Sequence, residues 1–184
     1  MTRIPYRDIE TLPDEPRRLT LERGNLNVYR TLANAENVFT GWMVAGREHL
    51  TSPTISVRLR ELVILRTGYL MDSSYEVAQH TAVAKQAGVS GPEIAALAPD
   101  GDLDAPGFDA TELAILRLIT ELITTRQVAV ELFDRVHDAL GDEATIEVLM
   151  LVHRWAGLAL MLNALDVDLD TDARLTTLPM RVIE

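Results

Sequence analysis

Apolar residues recur at spacings of three and four along most of this chain, and almost nowhere do they alternate. From about Asn25, Leu26, Tyr29, Leu32 and Ala33 share one helical face, and Phe39, Met43, Val44 and Leu50 share another. Thr51-Ser52-Pro53 interrupts the pattern, and a helix is predicted from roughly Ser56 to Met71. The next runs from Ser74 to Ala87 and stops at Gly88, a residue suited to a left-handed cap. Ser90-Gly91-Pro92-Glu93 reads as the capped start of a short helix ending before Pro99. After a loop over Asp100 to Gly107, helical segments follow at Ala110–Thr124, Ala129–Leu140 and Glu143–Leu165, with Gly141-Asp142 parting the last two. The expected fold class is all-α, a helical bundle. Residues 1–23 carry Pro5, Pro13 and Pro16 among charges and read as an extended arm, 24–168 as the helical domain and 169–184 as a tail.

A length of 184 residues and a 47% hydrophobic share allow one domain with a sizeable core. The net charge of −11 argues against nucleic acid and an anionic membrane surface as partners. The sequence has no cysteine, which excludes disulfides, thiol nucleophiles, thiol peroxidase chemistry and Cys-ligated zinc. The first residues lack a signal-peptide core, and His153 and Arg154 interrupt the apolar run Val148 to Leu165, which is short for a span. A soluble cytoplasmic protein is expected. The segment Glu143–Leu165 is apolar on nearly every face, which in a chain of this size points to a subunit interface and a homo-oligomer.

Candidate chemistry lies in Arg60-Glu61-Leu62-Val63-Ile64-Leu65-Arg66 and Ser73-Ser74-Tyr75-Glu76-Val77-Ala78-Gln79-His80. Glu76 and His80 are one turn apart and share a face, and the connection at Gly68 to Ser74 can fold Glu61's helix against theirs. Each residue also has a plainer reading. Ser73-x-x-Glu76 is the pattern of a capping box. His80, among Val77, Ala78, Val83 and Ala84, fits a core histidine, unless two nearby carboxylates raise its pKa and make it a cationic acid. Glu61 fits a solvent-facing residue paired with Arg58 or Arg66. Glu112-Leu113-Ala114-Ile115-Leu116-Arg117 echoes Glu61 to Arg66, yet the positions matching Glu76 and His80 there are Gln127 and Glu131. An ELxILR helix by itself therefore signals packing.

Tyr75, Arg58, Trp42 and Trp155 are candidate substrate-binding residues, with Met43 and Met161 as further walls of an apolar pocket. His153 and Asn163 are polar points on an apolar helix that need partners, whereas His49 and His137 read as surface residues. Glu61, Glu76 and His80 have the chemistry of three metal ligands, but no second spaced histidine accompanies them, and no metal is expected.

RELVILR, YEVAQH, AKQAGVS and the late LMLVHRWAGLALMLNAL together resemble the carboxymuconolactone decarboxylase family, which includes the AhpD-like alkylhydroperoxidases. The resemblance spans roughly Leu26 to Asp168 and implies an all-α bundle assembling as trimers or larger rings, here a homotrimer or hexamer. In the peroxidase branch a Glu is followed by CxxC and then by a His. Here Glu61 falls on that Glu, Ser73 and Glu76 on the two cysteines, and His80 on the His. Neither serine nor glutamate can cycle through a disulfide, so peroxidase activity is not expected. The form YExxxH resembles the decarboxylase-type branch. The resemblance thus implies a cofactor-independent acid–base lyase or hydrolase on a small lactone or keto acid. His80, Glu76 and Glu61 would be catalytic, with His80 the proton donor. The alternative is a non-catalytic ligand-binding or structural oligomer of the same fold.

Overall fold

The computed structural model describes residues 2–104 and 107–171, and every regular element among them is helical. Most of the expected tail, 172–184, lies outside the described residues. The chain divides into two compact units: Met1–Ser52 with the chain from Met161 onward, and Pro53–Leu160. This differs from the expected arm and single domain over 24–168. Periodicity locates helices; it does not say which of them pack together.

The first unit begins with a 3-10 turn, Ile9–Thr11, whose start the Asp8 side chain holds by accepting from Glu10 N–H. It continues through α1 (Asp14–Glu22), α2 (Asn27–Leu32) and α3 (Glu36–Thr51). The stretch expected to be extended is therefore partly helical. Pro16 sits in the first turn of α1, where a missing N–H is tolerated. Leu12 and Leu19 bury against Ala33, Phe39 and Met43, which supplies the tertiary reason for this helix to form. The residues before it are tied down as well. Arg3 N–H donates to the Leu165 carbonyl at 2.8 Å, and the Tyr6 hydroxyl donates to Asp168 Oδ2 at 2.8 Å.

The second unit is organised around α4 (Val57–Leu70), which packs against α5 (Ser74–Gln86) and α7 (Ala110–Thr125). Every residue of α4 from Arg60 to Gly68 is buried, because apolar side chains at 62 to 65 point to all sides of the helix. Leu62 and Leu65 join Ala84, Val89, Ile94, Leu97 and Leu116 in one core, which also takes in α6 (Gly91–Ala96). The buried Arg66 is satisfied locally: it donates to the Leu97 and Ala98 carbonyls at 2.9 and 2.8 Å and to Thr120 Oγ1. Reciprocal capping boxes start α6 (Ser90 with Glu93) and α7 (Asp109 with Glu112).

The expected pair of late helices is present: the stretch α8 (Val130–Leu165) is two helical segments meeting at Gly141, whose φ of 74° and ψ of 177° are not helical. Val148, Leu151, Val152, Trp155, Leu158 and Ala159 bury one face. Ile146, Met150 and Leu160 stay exposed on the other, at 56%, 48% and 60%. By length and composition α8 could cross a membrane; its best window has a mean hydropathy of 1.5.

Candidate functional site

Gly68, near the C-terminal end of α4, lets the next helix come close. A Cβ there would lie 3.3 Å from Glu76 Cβ and 3.5 Å from a Val77 methyl. The chain turns through Asp72, held at a φ of 51°, and α5 starts at Ser74. Ser73 caps it in one direction only: its hydroxyl accepts from Glu76 N–H at 3.5 Å, while its own N–H donates to the Gly68 carbonyl at 2.9 Å. The reciprocal half of the capping box is thereby replaced, and the Glu76 carboxylate turns toward His80.

Glu61, Glu76 and His80 come together as the spacing predicts. His80 Nδ1–H donates to Glu61 Oε2 at 2.8 Å, and His80 Nε2 lies 3.6 Å from Glu76 Oε2. All three are buried, Glu61 and Glu76 almost completely, while the His80 side chain keeps 10% of its surface accessible. Glu61 pairs with neither Arg58 nor Arg66, the partners its plainer reading required.

Trp155 completes the cluster from α8. Its indole N–H donates to His80 Nε2 at 3.1 Å, and the two rings meet edge to face with centroids 5.8 Å apart. The sequence marked Trp155 as a wall residue; in the structure it is a polar partner of the imidazole. Arg154, beside it, places its guanidinium 5.9 Å from the Trp155 ring centroid, and its charge is felt by Glu76. In the sequence Arg154 stands out only as an interruption of the apolar run; its influence on Glu76 depends on how α8 packs. His153 itself is exposed on the opposite face, and Asn163 further along the helix is exposed as well.

Electrostatics divide the proton-carrying roles. Burial is the largest influence on Glu76 and pushes its carboxyl above the ordinary carboxylate range. His80, the Trp155 N–H and Arg154 pull it back without undoing the rise, to which Glu61 adds. On His80, burial is again the largest single influence and opposes the cation. The Glu61 charge and hydrogen bond, with the Glu76 charge, outweigh it and hold the imidazole above its ordinary value. A buried acid that tends toward neutrality thus stands beside a buried base that tends toward charge, and the two titrate as a pair.

The other expected site residues lie elsewhere. Arg58 is a correction: all three of its guanidinium nitrogens are engaged away from the trio. Nε donates to Glu112 Oε1 at 2.7 Å, Nη1 to the Gly88 carbonyl at 3.1 Å, and Nη2 reaches both Glu93 and Glu112. It ties α4 to α6 and α7, and the Arg58 ion pair holds the Glu93 carboxyl down to about 2, against the burial that would raise it. Glu112, the echo of Glu61, is likewise part of that tie. Trp42 belongs to the first unit and packs beside Phe39 and Met43. Tyr75 is buried in the first turn of α5. His49 is half-buried with Nδ1 on the Ala45 carbonyl, and His137 pairs with Asp142 near the surface. Among the described residues, no group of three or more His, Asp or Glu side chains is arranged to hold a metal ion.

Comparison with known proteins follows the same outline. No curated protein matches the chain. A crystal structure of an AhpD-core, uncharacterized peroxidase-related protein from Ralstonia eutropha JMP134 superposes with a TM-score of 0.80. It shares 19% identity and covers 92% of this chain and 93% of its own. A protein of unknown function from Agrobacterium tumefaciens, suggested to be an AhpD antioxidant-defence protein, gives 0.68 at 15% identity, covering 76% and 96%. These likenesses establish the fold. The model of the carboxymuconolactone decarboxylase family matches residues 38–121, which include Glu61, Glu76 and His80 but not Trp155. The chain has an AhpD-like all-helical fold, and its residues 38–121 match the model of the carboxymuconolactone decarboxylase family.

Proposed function

We propose that this protein is a cofactor-independent acid–base lyase or hydrolase acting on a small lactone or keto acid, with His80 as the group that delivers the proton. The carrying observation is the buried 2.8 Å bond between His80 Nδ1 and Glu61, with a second carboxyl near Nε2. In the lyase form, the bond from carbon to the leaving carboxylate breaks and CO₂ departs. The electron pair passes into the conjugated carbonyl as an enolate, and His80 Nε2–H protonates the carbon. His80 is then recharged through Glu76. Proton transfer of this kind contributes on the order of 10²–10⁴ in rate.

An anionic substrate would meet two glutamates, but the raised Glu76 carboxyl and the nearby Arg154 lessen that repulsion. Arg154 therefore replaces Arg58 as the proposed counter-charge. For a neutral lactone, the same imidazole would take a proton from attacking water instead. AhpD-type thiol chemistry does not carry over, because the chain has no cysteine.

The test is turnover of a panel of lactones and keto acids, followed as CO₂ or acid release, by native protein and by His80→Ala. Loss of turnover with an unchanged molecular mass is expected; full activity in the variant would reject His80 as the acid. One observation favours the second reading, a non-catalytic oligomer: the trio is mutually satisfied and would serve equally well to stitch α4, α5 and α8 together. A panel with no turned-over member and no pH-dependent rate would favour it.

The proposed partner besides substrate is a second copy of this chain, in a cytoplasmic setting. Ile146, Met150, His153, Gly157 and Leu160 form one stripe on α8 with alternating spacings of four and three, the repeat of a helix–helix seam. Gly157 leaves open space for close approach.

A further inference from the structure

We infer that Trp155 is a positioning residue for His80, whose indole N–H holds the imidazole in the tautomer with its proton on Nδ1 and masks Nε2 until that nitrogen is needed. An indole N–H can donate and never accept, so at 3.1 Å from Trp155 the His80 Nε2 must present its lone pair. The ring's own proton is then on Nδ1, where Glu61 receives it at 2.8 Å. The two contacts fix one tautomer from opposite ends of the ring, and the edge-to-face packing of Trp155 fixes the ring plane.

The same indole N–H also acts on Glu76, favouring the charged form of its carboxyl. That gives it two stations. With the proton on the Glu76 carboxyl, His80 is neutral and the indole donates to Nε2. With the proton moved to Nε2, two N–H groups would face each other, so the indole shifts to the Glu76 carboxylate, now charged. One proton changes hands, none is gained or lost, and Trp155 follows it. The charged groups that bear on this exchange are Glu61 from α4 with Arg60 beside it, Glu76 from α5, and Arg154 from α8. Trp155 lies outside the residues matched by the family model. The functional consequence, that Nε2 must be unmasked before it delivers a proton, rests on the proton-transfer reading above; the tautomer and its indole lock do not.

The experiment is nitrogen and proton NMR on the full-length, isotope-labelled protein. Trp42→Phe leaves Trp155 as the sole indole, since the chain has two tryptophans. Above the midpoint of its titration the His80 ring is expected to show a protonated Nδ1 and a bare Nε2, and the Trp155 N–H resonance is expected to move through the same midpoint as the ring. Trp155→Phe keeps an aromatic ring and removes the donor. Compared in a Glu76→Gln background, where the imidazole alone titrates beside it, this change is expected to make His80 bind its proton roughly fivefold more tightly. A neutral ring protonated on Nε2, or an indole resonance indifferent to the His80 transition, would overturn the inference, and neither requires the double variant to fold. An unchanged proton affinity in a folded double variant would overturn it as well. None of these readouts needs turnover, so a failed substrate panel and a failed indole lock are separate results.

Discussion

Glu61→Gln keeps the volume and the acceptor oxygen facing His80 Nδ1 but removes the negative charge. In the native protein burial disfavours the imidazolium, and Glu61, followed by Glu76, reverses that balance. With the amide in place burial dominates, and the His80 pKa moves from above its ordinary value of 6.5 to below it. The sign of a stability measurement then changes. A group whose pKa is higher folded than unfolded contributes stability below its unfolded pKa and loses it as pH rises through the folded value. Native protein should therefore lose stability above pH 6.5 on account of His80, and Glu76, also raised, adds a loss of the same sign from 4.5 upward. In Glu61→Gln the His80 contribution reverses: stability is gained as pH rises toward 6.5 and is level beyond it. One proton limits each slope to about 1.4 kcal/mol per pH unit. At neutral pH the variant should be weaker by about 1–3 kcal/mol, the scale of a damaged hydrogen bond to a charged group. That is less than the ~3–5 kcal/mol of a buried charge left without its partner, because His80 sheds its charge. A domain stable by about 5–15 kcal/mol survives this. Urea midpoints taken from about pH 5 to 8 read it directly. If native and variant midpoints run parallel across that range, Glu61 does not govern the charge on His80, and the acid–base reading loses its base.

Three further outcomes test the surroundings of the site. Gly68→Val forces branched carbon into the 3.3 Å approach between α4 and Glu76 and should destabilise by about 1–3 kcal/mol in thermal unfolding, with Gly68→Ala much milder. Arg58→Met leaves Glu93 and Glu112 without their cation and should cost about 1–3 kcal/mol at neutral pH. Because the Glu93 carboxyl is held down to about 2, its share of that loss should fade as pH falls from 4.5 toward 2, and turnover of a substrate should survive the change. Met150→Glu in the exposed stripe of α8 should lower the molecular mass measured by light scattering while leaving the helical circular dichroism unchanged; an unchanged mass would remove the stripe from the assembly, and co-flotation of the native protein with lipid vesicles would assign it to a membrane instead.

What the sequence disclosed and what it withheld follow from the range of the interactions. The helices from Val57 onward were legible because their signals are local: a serine cap, a 3.6-residue period, a glycine stop. Glu76 and His80 were legible for the same reason, being one turn apart on one helix. Glu61 is 19 residues away from His80, close enough for a helical hairpin to carry it there. α1 was missed because its prolines and charges are poor helix formers in isolation, and only the burial of Leu12 and Leu19 overrides them. Arg58 was misplaced because a free arginine near a candidate site looks identical to one engaged by Glu93 and Glu112, residues 35 and 54 positions away.

The repeat of the Glu61 helix at Glu112 shows why the motif alone could not decide. Both glutamates start from the same ELxILR context, yet Glu112 is the third residue of a helix that begins at Ala110 and completes a capping box with Asp109. Glu61 is the fifth residue of its helix, past the reach of the Ser56 cap, which serves Leu59 N–H instead. A carboxylate in the first turn has unpaired backbone N–H groups to bond with, and Glu112 also has the part-buried Arg58. One turn deeper it has neither, and in a core this tightly packed it must find a buried partner or become protonated. His80 is that partner, and Trp155 and Glu76 close the other side of the ring. The register of a glutamate relative to its own helix start, rather than the motif around it, is what separates the packing copy from the candidate active one.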